Sequence, residues 1–155
     1  MLDASISAAS RVFLAALFLI SGLSKLGAFD ATTAYIASAG LPFPVLAYAA
    51  TLAVEIGGGL LLMIGFQARP TASVLALFTV ATAISFHNNF ADQNQAIHFF
   101  KNFSIAGGLL QVVAAGAGRF SLDARRLLVD HPAHALWPSD ANPTTQSKSA
   151  NRHSG

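Results

Sequence analysis

The sequence predicts an all-α fold: an integral membrane four-helix bundle with a short interfacial helix and a disordered C-terminal tail. Three observations predict it. Of 155 residues only 10% are charged, while 54% are hydrophobic; a soluble domain averages roughly 25% charged residues. The mean hydropathy is +0.55. Four apolar stretches approach the length of about 20 residues that a spanning helix needs, and none shows the strict alternation of a barrel strand, the other structure that satisfies its backbone in lipid.

The first stretch runs over about 8–26. Its start is weakly basic and its apolar run leads into further apolar segments, so a retained span is expected instead of a cleaved signal. The stretch "FDATTAYIASAGLPFP" (29–44) follows. Asp30 is placed to cap a short helix, Gly40 to close it, and Pro42 and Pro44 to stop it continuing. Tyr35 and Ile36 give that helix an apolar patch suited to the membrane interface. The second span covers about 45–66. "GFQARPT" (65–71) is a tight turn with Pro70 at the first helical position, and the third span covers about 71–87. "HNNFADQNQ" (87–95) reads as a polar loop before the fourth span, about 97–117. Ser121 then caps a further short helix with Asp123 in its first turn. Residues 1–119 therefore form a four-span domain. Residues 120–155 form a short helix and a Pro-, Ser-, Asn- and Thr-rich tail that is expected to be disordered.

Four spans put both termini on one side. Arg11, Arg69, Arg119, Arg125 and Arg126 collect there, with Lys148 and Arg152 of the tail, against Lys25 and Lys101 on the other; without the tail the ratio is 5 to 2. The positive-inside rule then makes the termini cytoplasmic, with Arg11 and Arg119 as surface anchors. The net charge is only +2 and no basic stripe carries interleaved aromatics, so no nucleic-acid partner is expected. The absence of cysteine excludes disulfides, thiol redox chemistry, cysteine-held iron–sulfur clusters and c-type haem attachment.

Chemistry is expected where polar residues lie at membrane depth. Glu55 is ten residues into the second span, roughly 15 Å deep at 1.5 Å per residue, inside a run from Val45 to Phe66 with no other charge. An intramembrane acid is expected to have a function or a partner. Lys101 is the first candidate partner and Lys25 the second, each able to carry its ammonium along a flexible stem. Asn102, His87 and His98 fall in the same half of the bundle, with His98 three residues before Lys101 and four before Asn102, hence on one helical face. Gly58 and Gly59, three and four residues after Glu55, fall on its face by the same spacing. They suit close helix contact and leave room for a flat apolar ligand, and Gly107 and Gly108 punctuate the fourth span. Phe86, Phe90, Phe99, Phe100 and Phe103 cluster at the outer ends of the third and fourth spans, read first as core or interface belt and second as the apolar wall of a quinone-sized cleft. His87 and His98 flank one short loop and leave no room for a macrocycle between facing helices, so haem is not expected, nor is a metal site with Glu55.

The stretches "FLISGLSKL" (18–26), "AVEIGGGLLLMIGFQAR" (53–69), "FFKNFSIAGGLL" (99–110) and "GAGRFSLD" (116–123) together resemble the DoxX family of small four-helix bacterial membrane proteins. The resemblance implies a multi-pass protein of the bacterial inner membrane. It also implies association with quinone-linked oxidation of sulfur compounds or with membrane oxidoreductase assemblies, and hence a partner subunit. Lys25, Glu55, Gly58, Gly59, Lys101, Asn102, Gly107 and Gly108 are the positions that match the family pattern.

The leading expectation is a quinone-associated small subunit. Glu55 relays protons beside Lys101 or Lys25, and Asn102 bonds a quinone carbonyl or orients Glu55. Lys25, Gly58, Gly59, His87 and His98 complete the ligand site. A second expectation is a non-enzymatic scaffold or assembly subunit in which Glu55 and a lysine fix helix register. A third is a small-anion transporter using Lys25, Lys101 and His87, which would need a homo-oligomer because four helices are few for alternating access.

Overall fold

The computed structural model describes residues 2–130, with side chains as far as Arg126. The expected tail from His131 onward lies outside the described residues. All the regular structure described is helical. The helix α1 spans Leu2–Leu26 and α2 spans Phe29–Ser38. The helix α3 runs Pro44–Ile64 and contains a π-helical segment over Ala53–Gly58. Then come α4, Ala68–Phe86, α5, Gln93–Ala115, and α6, Leu122–Asp130.

Three helices, α1, α3 and α4, are long and apolar enough to cross a membrane. The fourth long helix, α5, has 23 residues but carries His98, Lys101, Asn102 and Gln111, which lower its hydropathy. It nevertheless packs along α4 more extensively than any other pair of helices among the described residues. Its Ala106, Leu109 and Val112 join Ala15, Leu62, Ala72 and Leu75 in one core. Large apolar side chains such as Phe13, Leu77 and Phe100 point outward, the arrangement expected where the surrounding solvent is hydrocarbon. Lipid supplies no hydrophobic drive between helices, so close packing must hold them together. Glycine permits that approach. A Cβ on Gly22 of α1 would stand 2.6 Å from Ile56, and one on Gly59 would stand 3.0 Å from Leu19.

Several local expectations are corrected. The helix α2 starts at Phe29 with Ala28 at its cap and no side-chain cap bond, so Asp30 lies in its first turn instead of capping it. Pro70 is the third residue of α4, not the first. The helix α5 begins four residues earlier than the apolar pattern suggests. Asp92 caps it by accepting from the N–H groups of Asn94 and Gln95, so Gln93–Gln95 belong to the helix and not to the loop.

The end of the bundle that collects the arginines is closed by a latch. Arg11 is 3% exposed and not a surface anchor. Its two terminal nitrogens donate to the carbonyls of Ala117 and Phe120, which binds the turn after α5 to α1. Arg119, by contrast, is exposed as expected. Ser121 caps α6 as expected, accepting from Ala124 at 3.1 Å. Asp123 turns back to α4: its two oxygens accept from the N–H groups of Gln67 at 2.7 Å and Ala68 at 2.9 Å. A carboxylate there satisfies two orphan donors and meets the positive end of the α4 dipole. Asp123→Ala is expected to lower stability by about 1–2 kcal/mol, the usual cost of losing a helix cap. Unfolding of the detergent-solubilised protein followed by circular dichroism measures it, and an unchanged midpoint would reject the capping role.

Candidate functional site

Glu55 lies in the π-helical segment of α3 and is buried. Such segments, in which the hydrogen bonds run from i to i+5, are frequent at functional sites. Here the segment coincides with the start of the glycine run 57–59, whose residues tolerate a departure from α geometry. Its effect is a matter of direction. A widened turn separates residues three apart, so Gly58 faces Leu75 of α4, 2.9 Å from where its Cβ would stand. Glu55 instead faces α1.

On α1 the carboxylate finds Lys25. The ammonium lies 3.0 Å from Oε1 and 2.9 Å from Oε2, the one ion pair among the described residues. Ser21, one turn before Lys25, completes the cluster. Its hydroxyl donates to Oε1 of Glu55 at 3.1 Å and accepts from Lys25 at 2.7 Å. Lys25 also ends α1, where a cation suits the helix dipole, and its carbonyl accepts from the Tyr48 hydroxyl at 3.1 Å. A buried carboxylate with a chelating ammonium and a hydroxyl is far less costly than an unpaired one.

This pair forms one end of a cavity of about 270 Å³ at the lysine end of the bundle. Asn102 of α5 and His87 at the end of α4 also line it, as do Thr51 and Thr82. Phe78, Phe86 and Ile36 supply apolar wall. The helix α2 folds over the mouth: Tyr35 stacks on Phe86 with ring centroids 5.1 Å apart, and its hydroxyl donates to the Phe86 carbonyl at 3.4 Å. The short helix expected at the interface thus also encloses the site.

Of the residues singled out by sequence, Lys25, Glu55, His87 and Asn102 meet at this cavity and four do not. Lys101 is exposed and lines no part of it, so the first candidate partner of Glu55 gives way to the second. The reason is helix rotation: the buried face of α5 is set by Ala106, Leu109 and Val112, and Asn102 lies four residues before Ala106 on that face, whereas Lys101 is turned roughly 100° away. His98 lies outside the cavity. Its ring stacks on His87 at 5.1 Å, while Nδ1 of His87 is 2.8 Å from Oε1 of Gln95. Gly58 and Gly59 serve helix packing and line no part of the cavity. The expected aromatic wall divides likewise. Phe86 lines the cavity, while Phe90, Phe99, Phe100 and Phe103 form an aromatic cluster of their own outside it.

Sequence reasoning missed Ser21, Thr51, Thr82 and Tyr35. A signal existed for two of them: Ser21 and Thr51 each precede a charged residue, Lys25 and Glu55, by four positions, the spacing that places side chains on one helical face.

These features define a class: a multi-helix integral membrane protein whose intramembrane acid is held by a lysine at the edge of a small amphipathic cavity. The comparisons identify it further. The DoxX family model matches residues 6–88, and the chain belongs to that family. It is 37% identical over 114 residues to the inner membrane protein YqjF of Escherichia coli, covering 74% of this chain and 86% of that one. It is 36% identical over 121 residues to the inner membrane protein YphA of the same organism, covering 75% and 86% respectively. No solved structure matches it.

Proposed function

We propose that the protein is a small quinone-associated subunit of a membrane oxidoreductase assembly, located in the bacterial inner membrane with its arginine end in the cytoplasm. The relatives' inner-membrane location and the arginine bias support the placement. One observation carries the ligand reading. In the same cavity as the paired Lys25 and Glu55, the Asn102 amide of α5 and the Thr51 hydroxyl, one turn before Glu55 on α3, make no hydrogen bond among the described residues. Polar groups left unused beside apolar walls suit a ligand that brings its own acceptors.

A quinone headgroup fits this donor set. It is a flat, carbonyl-bearing ring, and 270 Å³ is at the small end of ligand sites, large enough for a ring and too small for its tail. When bound, the quinone would supply two-electron, two-proton redox chemistry, with electrons from a redox group of a partner subunit. Asn102 would donate to a carbonyl oxygen. Phe86 and Phe78 would flank the ring and exclude water. Ser21 and Lys25 would hold the Glu55 carboxylate in place and carry protons between it and the ligand. The tail would leave between helices into lipid.

The test is equilibrium binding of a short-chain ubiquinone analogue to the detergent-purified full chain. Asn102→Leu is expected to weaken binding about tenfold, the equivalent of one lost hydrogen bond of about 1.4 kcal/mol. Equal binding by wild type and by both Asn102→Leu and Glu55→Gln would reject the reading.

The position of the ion pair supports a second reading, a scaffold role. Lys25 and Glu55 join α1 to α3 and fix their register, as a buried polar pair can. A Lys25→Met, Glu55→Gln chain that folds and keeps its cellular function would favour it. The anion-transport reading loses support. Lys25 is neutralised by Glu55 and Lys101 faces away, so the cavity has no unpaired lysine.

A further inference from the structure

The arginine end carries a second cleft, about 580 Å³, between the start of α4 and the turn that follows α5. Arg69 reaches it from α4 and Arg119 from the turn. Neither guanidinium has a carboxylate within salt-bridge distance among the described residues, where Lys25–Glu55 is the one ion pair. The acid that lines the cleft, Asp123, already has both oxygens engaged by Gln67 and Ala68. Arg69 makes one long bond, to the Ala114 carbonyl at 3.4 Å. Its guanidinium lies across Gly116, where a Cβ would stand 3.5 Å from Nε. Arg119 makes no hydrogen bond or ion pair among the described residues. Apolar side chains flank the cleft-lining residues in sequence: Phe120, between Arg119 and Ser121, is 60% exposed, and Leu122, between Ser121 and Asp123, is exposed as well.

We propose that this cleft binds the phosphate of an anionic phospholipid headgroup, with its acyl chains lying against the apolar surface beside it. Guanidinium groups bind phosphate oxygens through two parallel charge-assisted hydrogen bonds. Arginines at the ends of spanning helices sit at headgroup depth, and basic pockets between such helices take anionic headgroups. Free phosphate offers the same anion but no chains to cover Phe120 and Leu122. The proposal is independent of any ligand at the lysine end.

The test is native mass spectrometry of the detergent-purified full chain, incubated with phosphatidylglycerol, with phosphatidylcholine, or with phosphatidylglycerol plus inorganic phosphate. The expected result is retention of phosphatidylglycerol over phosphatidylcholine, unaffected by millimolar inorganic phosphate. An Arg69→Gln, Arg119→Gln chain should lose about tenfold in retained phosphatidylglycerol. An Arg69→Lys, Arg119→Lys chain, which keeps the charge without the fork, should fall between the two. Circular dichroism establishes that each variant is folded. Equal retention of the two lipids, unchanged retention in the folded glutamine variant, or displacement by inorganic phosphate would each overturn the proposal.

Discussion

Lys25→Met is expected to destabilise the protein by about 3 kcal/mol, the lower part of the range for removing one partner of a buried pair. The lower part applies because the Lys25 side chain is 27% exposed against 7% for Glu55. The loss arises mainly from what remains. Without the ammonium, Glu55 keeps a single hydrogen bond, from the Ser21 hydroxyl, while still buried. Glu55→Gln should cost less, because a neutral amide is left and Lys25 can reach water at the helix end. The asymmetry separates a buried pair from a surface one, where either deletion costs little. Reversible unfolding in mixed micelles by titration with a denaturing detergent measures both. Equal losses below about 0.5 kcal/mol, the scale of a surface pair, would mean that the carboxylate is solvated.

At the other end, Gly65→Ala is expected to cost about 3 kcal/mol. Gly65 ends α3 in the left-handed region, at φ +68°, which costs a side chain roughly 1–2 kcal/mol. A Cβ would also stand 2.6 Å from the Arg11 guanidinium and 2.6 Å from Cβ of Ser121. Neither can yield cheaply. Arg11 is held by Ala117 and Phe120, and Ser121 precedes the Asp123 that caps α4. Overpacking of this kind adds about 1–3 kcal/mol. The same unfolding titration reads it, and Gly57→Ala is the control, because a Cβ there meets nothing within 4 Å. Comparable losses at both positions would show that backbone freedom in α3 decides the effect, and the latch does not.

The helices were legible because apolar runs and breakers agree: Gly40 and Gly65 both take positive φ where the pattern ends a helix. The head of α5 was hidden because its cap, Asp92, sits among polar residues that resemble a loop. At the site, sequence located the depth of each polar group but not its rotation. Lys25 and Lys101 both reach the level of Glu55, and the packing of Ala106 and Leu109 turns Lys101 outward. Gly58 departs from expectation for a related reason: α-helical spacing puts it on the face of Glu55, and the π-helical segment separates them, while Gly59 faces α1 as Glu55 does. Tyr35 belongs to the site through its stacking on Phe86 of α4, a long-range contact that no local pattern encodes.

The central claim is that Lys25, and not Lys101, holds Glu55 at the cavity. A pair of double-mutant cycles tests it most directly: Lys25→Met with Glu55→Gln, and Lys101→Met with Glu55→Gln, each read by unfolding free energy in the same micelles. A coupling of about 1.5 kcal/mol or more is expected in the first cycle and, since distant sites add within about 0.5 kcal/mol, none beyond that in the second. Coupling confined to Lys101, or absent from both, would contradict it.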